Sequence, residues 1–274
     1  MQVHLFGTRG SIPTPGPRYV EYGGNTSCVG IARDGELPTL FLDAGTGLAS
    51  TRNLFAGQAF HGTILLGHLH WDHIYGLPFF TAGDNPHSRV HVFLPDQGDP
   101  VDVLERPMSP PVFPIGPTML RGSWTYEALQ PGRFEAEGYS ILAKEIPHKG
   151  GRSYGYRIDD GTVSVAYLSD HSPTFIGDGP DGFGEYHEAA MELAQDADLL
   201  IHDSQYTTME FEAHSDWGHC CYEYPIHLAR RAGVKRTLLF HHDPTHTDDV
   251  LDALGATLTD PSASFAREGD VIDL

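Results

Sequence analysis

The stretch GHLHWDH (67–73) puts His68, His70, Asp72 and His73 within six positions, directly after the apolar run TILL (63–66). Residues two apart share a face of extended chain, so His68 and His70 project together from the end of a strand. A turn into HIYGLP (73–78) can bring Asp72 and His73 round from another direction. Imidazoles suit Zn²⁺-like metals, and a carboxylate adds hardness and balances charge, so the spacing reads as ligands for two adjacent metal ions. Solvated loop histidines are the bland alternative, but this grouping is too dense for chance to produce often.

Four further segments end apolar runs in the same way. DAGTG (43–47) follows TLFL (39–42), and IPHKGG (146–151) follows SILAKEI (140–146). LSDH (168–171) closes VSVAYL (163–168), and LFHHDP (239–244) closes TLLF (237–240). Strand ends gathered at one sheet edge are where open α/β folds bind ligands. Asp43, His148, Asp170 and either His241 or His242 are therefore candidates to complete a two-metal centre. Each alone carries little; the joint pattern carries the reading.

Strand-like runs recur also at 3–6, 27–31, 89–93 and 199–201, punctuated by Gly, Pro and Asp. Helical periodicity marks 185–195, 221–231 and 247–254, the last with Thr247 as its N-cap. Strands dominate early and alternate with helices late, so the spacing predicts an α/β or α+β layered fold, read as a single domain over 1–274. Seven prolines lie between 95 and 117. That segment reads as an ordered flap over the core, because Val112, Phe113 and Ile115 call for burial.

The 274 residues suffice for a sizeable core, and 40% hydrophobic with 20% charged content is globular. Net charge is −20, a field that repels a long phosphate backbone and so disfavours extended nucleic acid as partner. No leader-like apolar segment and no apolar run of membrane-spanning length occurs, so a soluble cytoplasmic chain with no membrane partner is expected. Cys28, Cys220 and Cys221 lack metal-ligand spacing and do not suggest a disulfide framework. Seventeen histidines stand against three lysines. No Gly-x-Ser-x-Gly motif supports serine catalysis.

Taken in order, DAGTG, HLHWDH, His148, Asp170 and His241 resemble the motifs of the metallo-β-lactamase-fold hydrolases. The resemblance runs over nearly the whole chain and is greatest to the phosphodiesterase branch that includes ribonuclease Z. GTRGSIPT (7–14), ADLLIHD (197–203) and GHC (218–220), followed by a helix and a basic turn and strand (234–240), are similar to that branch's other motifs. The resemblance implies a four-layer αββα sandwich with two divalent metals at one edge, Zn²⁺ first and Mn²⁺ or Fe²⁺ as alternatives. His68, His70 and His148 would then hold one metal and Asp72, His73 and His241 the other. Asp170 would bridge both, and Asp43 would orient a ligand through a hydrogen bond. Aligning GVKR (233–236) with the family's basic turn favours His241 over His242. His219 would assist the leaving group, oriented by Asp203, and Asp72 would also orient the attacking hydroxide. GHCC replaces the branch's GlyHisSerThr, and Asp203 stands where it more often has Glu.

His171, His202, His214, His242 and His246 exceed the metal count and read as polar loop or packing residues, with His214 and His246 able to line a pocket. Trp71 and Tyr75 flank the ligands and read as packing before pocket wall, and the glycines of GTRG (7–10) as a tight turn beside the site. The expected activity is hydrolysis of a small or cyclic phosphodiester, since no long insertion of the kind ribonuclease Z uses to hold tRNA is evident. The alternatives are a metal-dependent lactone or thioester hydrolase and a non-catalytic metal-binding ligand sensor. The resemblance is also compatible with a homodimer.

Overall fold

The computed structural model describes residues 1–274. The strands are β1 (Gln2–Gly7), β2 (Cys28–Ala32), β3 (Leu40–Leu42), β4 (His61–Leu65), β5 (Arg89–Pro95), β6 (Ser123–Leu129) and β7 (Gly132–Ala136). They continue as β8 (Tyr139–Ile146), β9 (Ser153–Asp159), β10 (Ser164–Leu168), β11 (Leu199–Asp203), β12 (Arg236–Phe240), β13 (Ala263–Phe265) and β14 (Val271–Asp273). Two seven-stranded mixed sheets result, ordered β14-β1-β2-β3-β4-β5-β6 and β13-β12-β11-β10-β9-β8-β7. Strands β3 to β6 are mutually parallel, and so are β10 to β13.

Side-chain alternation assigns each sheet two apolar faces. Along β10, Val165 and Tyr167 point into a 24-residue core between the sheets, whereas Ala166 and Leu168 face outward. In the other sheet Leu65 joins the inter-sheet core, while Ile64 and Leu66 pack outward. Helices α1 (Thr46–Ser50), α2 (Arg52–Phe55), α3 (Trp71–Ile74) and α4 (Pro100–Glu105) contribute to the first sheet's outer cluster. The second sheet's outer face is covered by α5 (Glu188–Ala194), α6 (Thr208–His214) and α7 (Glu223–Ala232), and α8 (Asp248–Gly255) packs at the β13 edge. Parallel strands covered on both faces read as continuous apolar runs, which is why the central strands were predictable. The outcome is the αββα sandwich. No helix is long and apolar enough to cross a membrane. All three cysteines are free and buried.

The Pro-rich segment departs from expectation. Asp99 and Pro100 start α4, with the Asp99 carboxylate accepting the N–H groups of Val101 and Asp102 at 3.0 and 3.1 Å. Its buried anchors are Val103 and Leu104, so Val112 is left 68% exposed and Phe113 and Ile115 half-buried. Thr247 does stand at the N-cap of α8, but its hydroxyl makes no capping hydrogen bond.

Candidate metal centre

Beyond Leu65 the chain bends at Gly67 and reaches His70, whose φ of −69° and ψ of 157° place it at the N-cap of α3. His68 and His70 therefore leave the strand end, and the first turn of α3 carries Asp72 and His73 back over the same edge. The facing sheet brings His148 after β8, Asp170 after β10 and His241 after β12. Two groups of donor atoms converge, His68–His70–His148–Asp170 and Asp72–His73–Asp170–His241, each set within 4.8 Å.

Asp170 belongs to both groups and divides its carboxylate between them. Its Oδ2 lies 3.6 Å from His68 Nε2 and 3.6 Å from His148 Nε2. Its Oδ1 lies 3.0 Å from His73 Nε2 and 3.2 Å from His241 Nε2. Asp72 Oδ2 closes the second group at 3.2 Å from His73 Nε2 and 3.1 Å from His241 Nε2. His70 Nδ1 faces His148 Nε2 at 3.3 Å.

The far side of each ring is fixed. His73 Nδ1–H donates to Asp43 Oδ2 at 2.7 Å, His148 Nδ1–H to the Gly218 carbonyl at 2.7 Å, and His241 Nδ1–H to Gln205 Oε1 at 3.0 Å. These bonds set tautomers that leave the inward Nε2 atoms free as ligands. Asp43 is itself held by the Gly67 N–H at 2.6 Å and the Tyr167 and Ser169 hydroxyls at 2.7 and 3.1 Å. Asp72 Oδ2 accepts the Ser11 N–H at 2.7 Å. Two glycines keep these rings accessible: a Cβ on Gly10 would lie 2.5 Å from His241 Nδ1, and one on Gly218 3.0 Å from His148 Nδ1.

The donor set fits divalent cations. Both ring nitrogens of buried His68 lack any hydrogen-bond partner, which is costly unless something else meets them. Burial, reinforced by neighbouring imidazoles, holds His68 well below its ordinary pKa, and burial takes His148 down to about 4. Both thus offer neutral lone pairs. Burial would depress His73 as well, but Asp170, Asp72 and Asp43 together hold it well above its ordinary value. Burial pushes Asp170 and Asp72 up, yet His241 and His73 beside the first, and His73 and His241 beside the second, keep both carboxyls well below the usual range. Buried carboxylates of that number call for positive charge among them.

A third group, Asp203–His219–His241, adjoins these. His219 Nδ1–H donates to Asp203 Oδ2 at 2.8 Å. Burial lowers the His219 pKa, but the Asp203 charge and hydrogen bond, with Asp170 and Asp72 behind them, raise it to about 9. The couple is thus an ion pair whose remaining Nε2 faces a cleft of about 320 Å³ lined by Ser11, His70, Asp72, Asp170 and His219 among others.

The other sequence candidates sort by position. His242 turns away and donates to the Ala266 carbonyl at 2.8 Å; His241 takes the place in the cluster. His246 pairs with the Glu210 carboxylate at 2.9 Å, and His214 donates to the Glu210 carbonyl at 2.8 Å and stacks on Tyr206, so neither lines the cleft. His171 and His202 are buried, joined to each other at 2.9 Å. Trp71 and Tyr75 stack on each other at the surface, and Trp71, 64% exposed, lines the cleft as pocket wall rather than packing into the core. The GTRG turn does sit beside the cluster, with Arg9 buried and donating to the Gly23, Asp243 and His246 carbonyls. Gln205, Ser11 and the Gly218 carbonyl were missed. Each acts through an amide or carbonyl that no sequence spacing advertises.

A family model described as the beta-lactamase superfamily domain matches residues 39–242. Ribonuclease Z from Geobacillus kaustophilus is 27% identical over 228 residues, spanning 65% of this chain and 69% of its own length. The metallo-beta-lactamase fold protein YhfI from Bacillus subtilis is similar with a TM-score of 0.73 at 19% identity, over 99% of both chains. A diphosphatase of the PhnP family gives a TM-score of 0.71 at 18% identity, over 100% of this chain and 97% of its own. At those identities the two structures speak for the fold alone.

Proposed function

The chain belongs to the beta-lactamase superfamily as a hydrolase of the metallo-β-lactamase fold, and from that premise we propose that it is a two-metal phosphodiesterase acting on small or cyclic phosphodiesters. The observation that carries the reading is the divided Asp170 carboxylate, flanked on one side by a protonated His219. His68, His70 and His148 would hold one cation and Asp72, His73 and His241 the other, with Asp170 shared between the two groups and Zn²⁺ the first candidate.

When bound, two such cations would acidify a water and offset the charge of phosphate oxygens. Asp72, anchored by the Ser11 N–H, faces the cleft and orients the attacking water, accepting its proton as the new P–O bond forms. His219, which lines the same cleft, gives its Nε2 proton to the departing oxygen as the old P–O bond breaks. Asp203 keeps His219 charged and aimed until then. The naming of a relative as ribonuclease Z supports phosphorus over carbonyl chemistry. The −20 charge supports a compact substrate over a long RNA.

The test is hydrolysis of bis(p-nitrophenyl) phosphate before and after chelation and Zn²⁺ or Mn²⁺ re-addition, with Asp72→Ala alongside. Metal-restored turnover that Asp72→Ala abolishes is expected. A protein carrying two metals by elemental analysis yet inert toward diesters, but active on a lactone or thioester, overturns the reading.

A further inference from the structure

The cleft over the metal centre does not end at His70. Leu69, His70 and Trp71 also line a second groove of about 410 Å³, which runs on past Gln97, Arg106 and Arg152. Its lining contains no Asp or Glu, in a chain with 37 acidic and 17 basic residues. The two arginines differ in their commitments. Arg152 donates to Glu145 Oε2 at 2.6 and 3.1 Å and to the Asp96 carbonyl at 2.7 Å, so its charge is taken up within the protein. Arg106, exposed at the C-terminal end of α4, makes no ion pair and no side-chain hydrogen bond. It is a free guanidinium aimed at by no carboxylate, beside a metal-proximal groove.

The opposite wall is kept low by glycine. Gly150 and Gly151 have φ of +90° and +152°, where side chains are strained. A Cβ on Gly150 would lie 2.9 Å from His70 Nε2, and one on Gly151 3.0 Å from Gln97 Oε1. The N–H groups of both residues meet no protein acceptor. Gln97 is held in turn by the Arg152 N–H at 3.2 Å. A planar fork of donors with open amides nearby suits a tetrahedral anion with several acceptor oxygens.

Resting on the phosphodiesterase reading, we propose that Arg106 determines specificity by binding a second phosphate of the substrate, one that is not cleaved. The preferred substrates are diesters carrying a phosphate monoester away from the reacting phosphorus, and the groove measures the separation of the two groups.

A matched pair of chromogenic diesters tests this: thymidine 5′-(p-nitrophenyl phosphate) and the same compound bearing a 3′-phosphate. The metal-loaded protein is expected to prefer the doubly phosphorylated member by about tenfold or more in kcat/KM, chiefly through KM. That preference is expected to collapse toward one in Arg106→Gln and to return in part in Arg106→Lys. A preference near one in the unaltered protein, or one that survives Arg106→Gln, overturns the proposal. Calorimetric binding of thymidine 3′,5′-bisphosphate against thymidine 5′-monophosphate reads the same contrast without turnover. If neither diester is cleaved, the catalytic reading falls, and the binding contrast and its loss in Arg106→Gln still decide the role of Arg106.

Discussion

His219 owes its chemistry to what surrounds it. Buried and alone it would be neutral, but Asp203 at 2.8 Å carries it to a pKa of about 9. A cationic acid helps only when the leaving oxygen needs its proton. His219→Gln should therefore slow diesters with alkoxide leaving groups by about 10²–10⁴-fold. The same variant should slow p-nitrophenolate release, which needs little protonation, far less. A plot of log kcat/KM against leaving-group pKa measures this, and parallel lines for the two proteins would remove His219 from the role. The structure also explains what spacing alone left open at 241 and 242, where only the resemblance favoured His241. His241 takes a positive φ of 63°, which swings it into the cluster while its neighbour reaches back to Ala266. Two adjacent histidines in a loop carry no periodicity that could reveal such a turn.

Elements set which parts of the chain were legible. The central strands, apolar on both faces, announced themselves, and so did the strand ends bearing Asp43, His68, His148, Asp170 and His241. Strands β6 and β7 alternate between half-buried and exposed positions at sheet edges, and β9 contains Gly155, so none stood out as an apolar run. The loop between β1 and β2 was legible as a turn, and the structure adds its consequence. Gly10→Ala forces a methyl to 2.5 Å from His241 Nδ1 and 3.0 Å from Gln205 Oε1. It should deplete the Asp72–His73–His241 metal while leaving circular dichroism unchanged; elemental analysis showing two full equivalents would contradict this. Between α5, β10 and β11 lies a histidine relay. His202 Nδ1–H donates to the Asp203 carbonyl, His171 donates to His202 Nε2 at 2.9 Å, and His187 donates to His171 Nε2 at 2.7 Å. That order requires neutral rings, and burial lowers His187 and His202 to about 4. Unfolded, each titrates near ~6.5, so between about 6.5 and 4 the unfolded chain binds more protons. Their contribution to stability is complete above ~6.5 and fades as pH falls toward 4. Tm should drop by roughly 5 °C or more between pH 6.5 and 4.5, and a Tm flat across that interval would show that the relay accepts protons when folded.

At the scale of the whole molecule, neither sheet supplies the candidate metal site alone. The first sheet sends His68, His70, Asp72 and His73 to the edge, and the second sends His148, Asp170 and His241. Each cluster mixes the two sets, so a bound cation ties sheet to sheet at the one edge where the 24-residue apolar core gives way to buried charge. The consequence is a linkage between metal and global stability. At free metal ~1,000-fold above Kd, one site adds about 4 kcal/mol, which for a chain of this size is roughly 8–16 °C in Tm. Chelation should lower Tm by that order, and re-addition of Zn²⁺ should restore it. The increment should belong to the sheet-bridging carboxylate and not to the core. Leu65→Ala, at an inter-sheet position, should cost about 2–5 kcal/mol and shift the loaded and stripped proteins downward together. Asp170→Asn should leave the stripped protein near its original Tm, or above it, since one buried charge is gone, and should abolish most of the metal-dependent rise. If Leu65→Ala erased the rise as well, the cations would be stabilising the packing of the sheets against each other rather than neutralising Asp170, and the division of labour between core and metal edge would have to be redrawn.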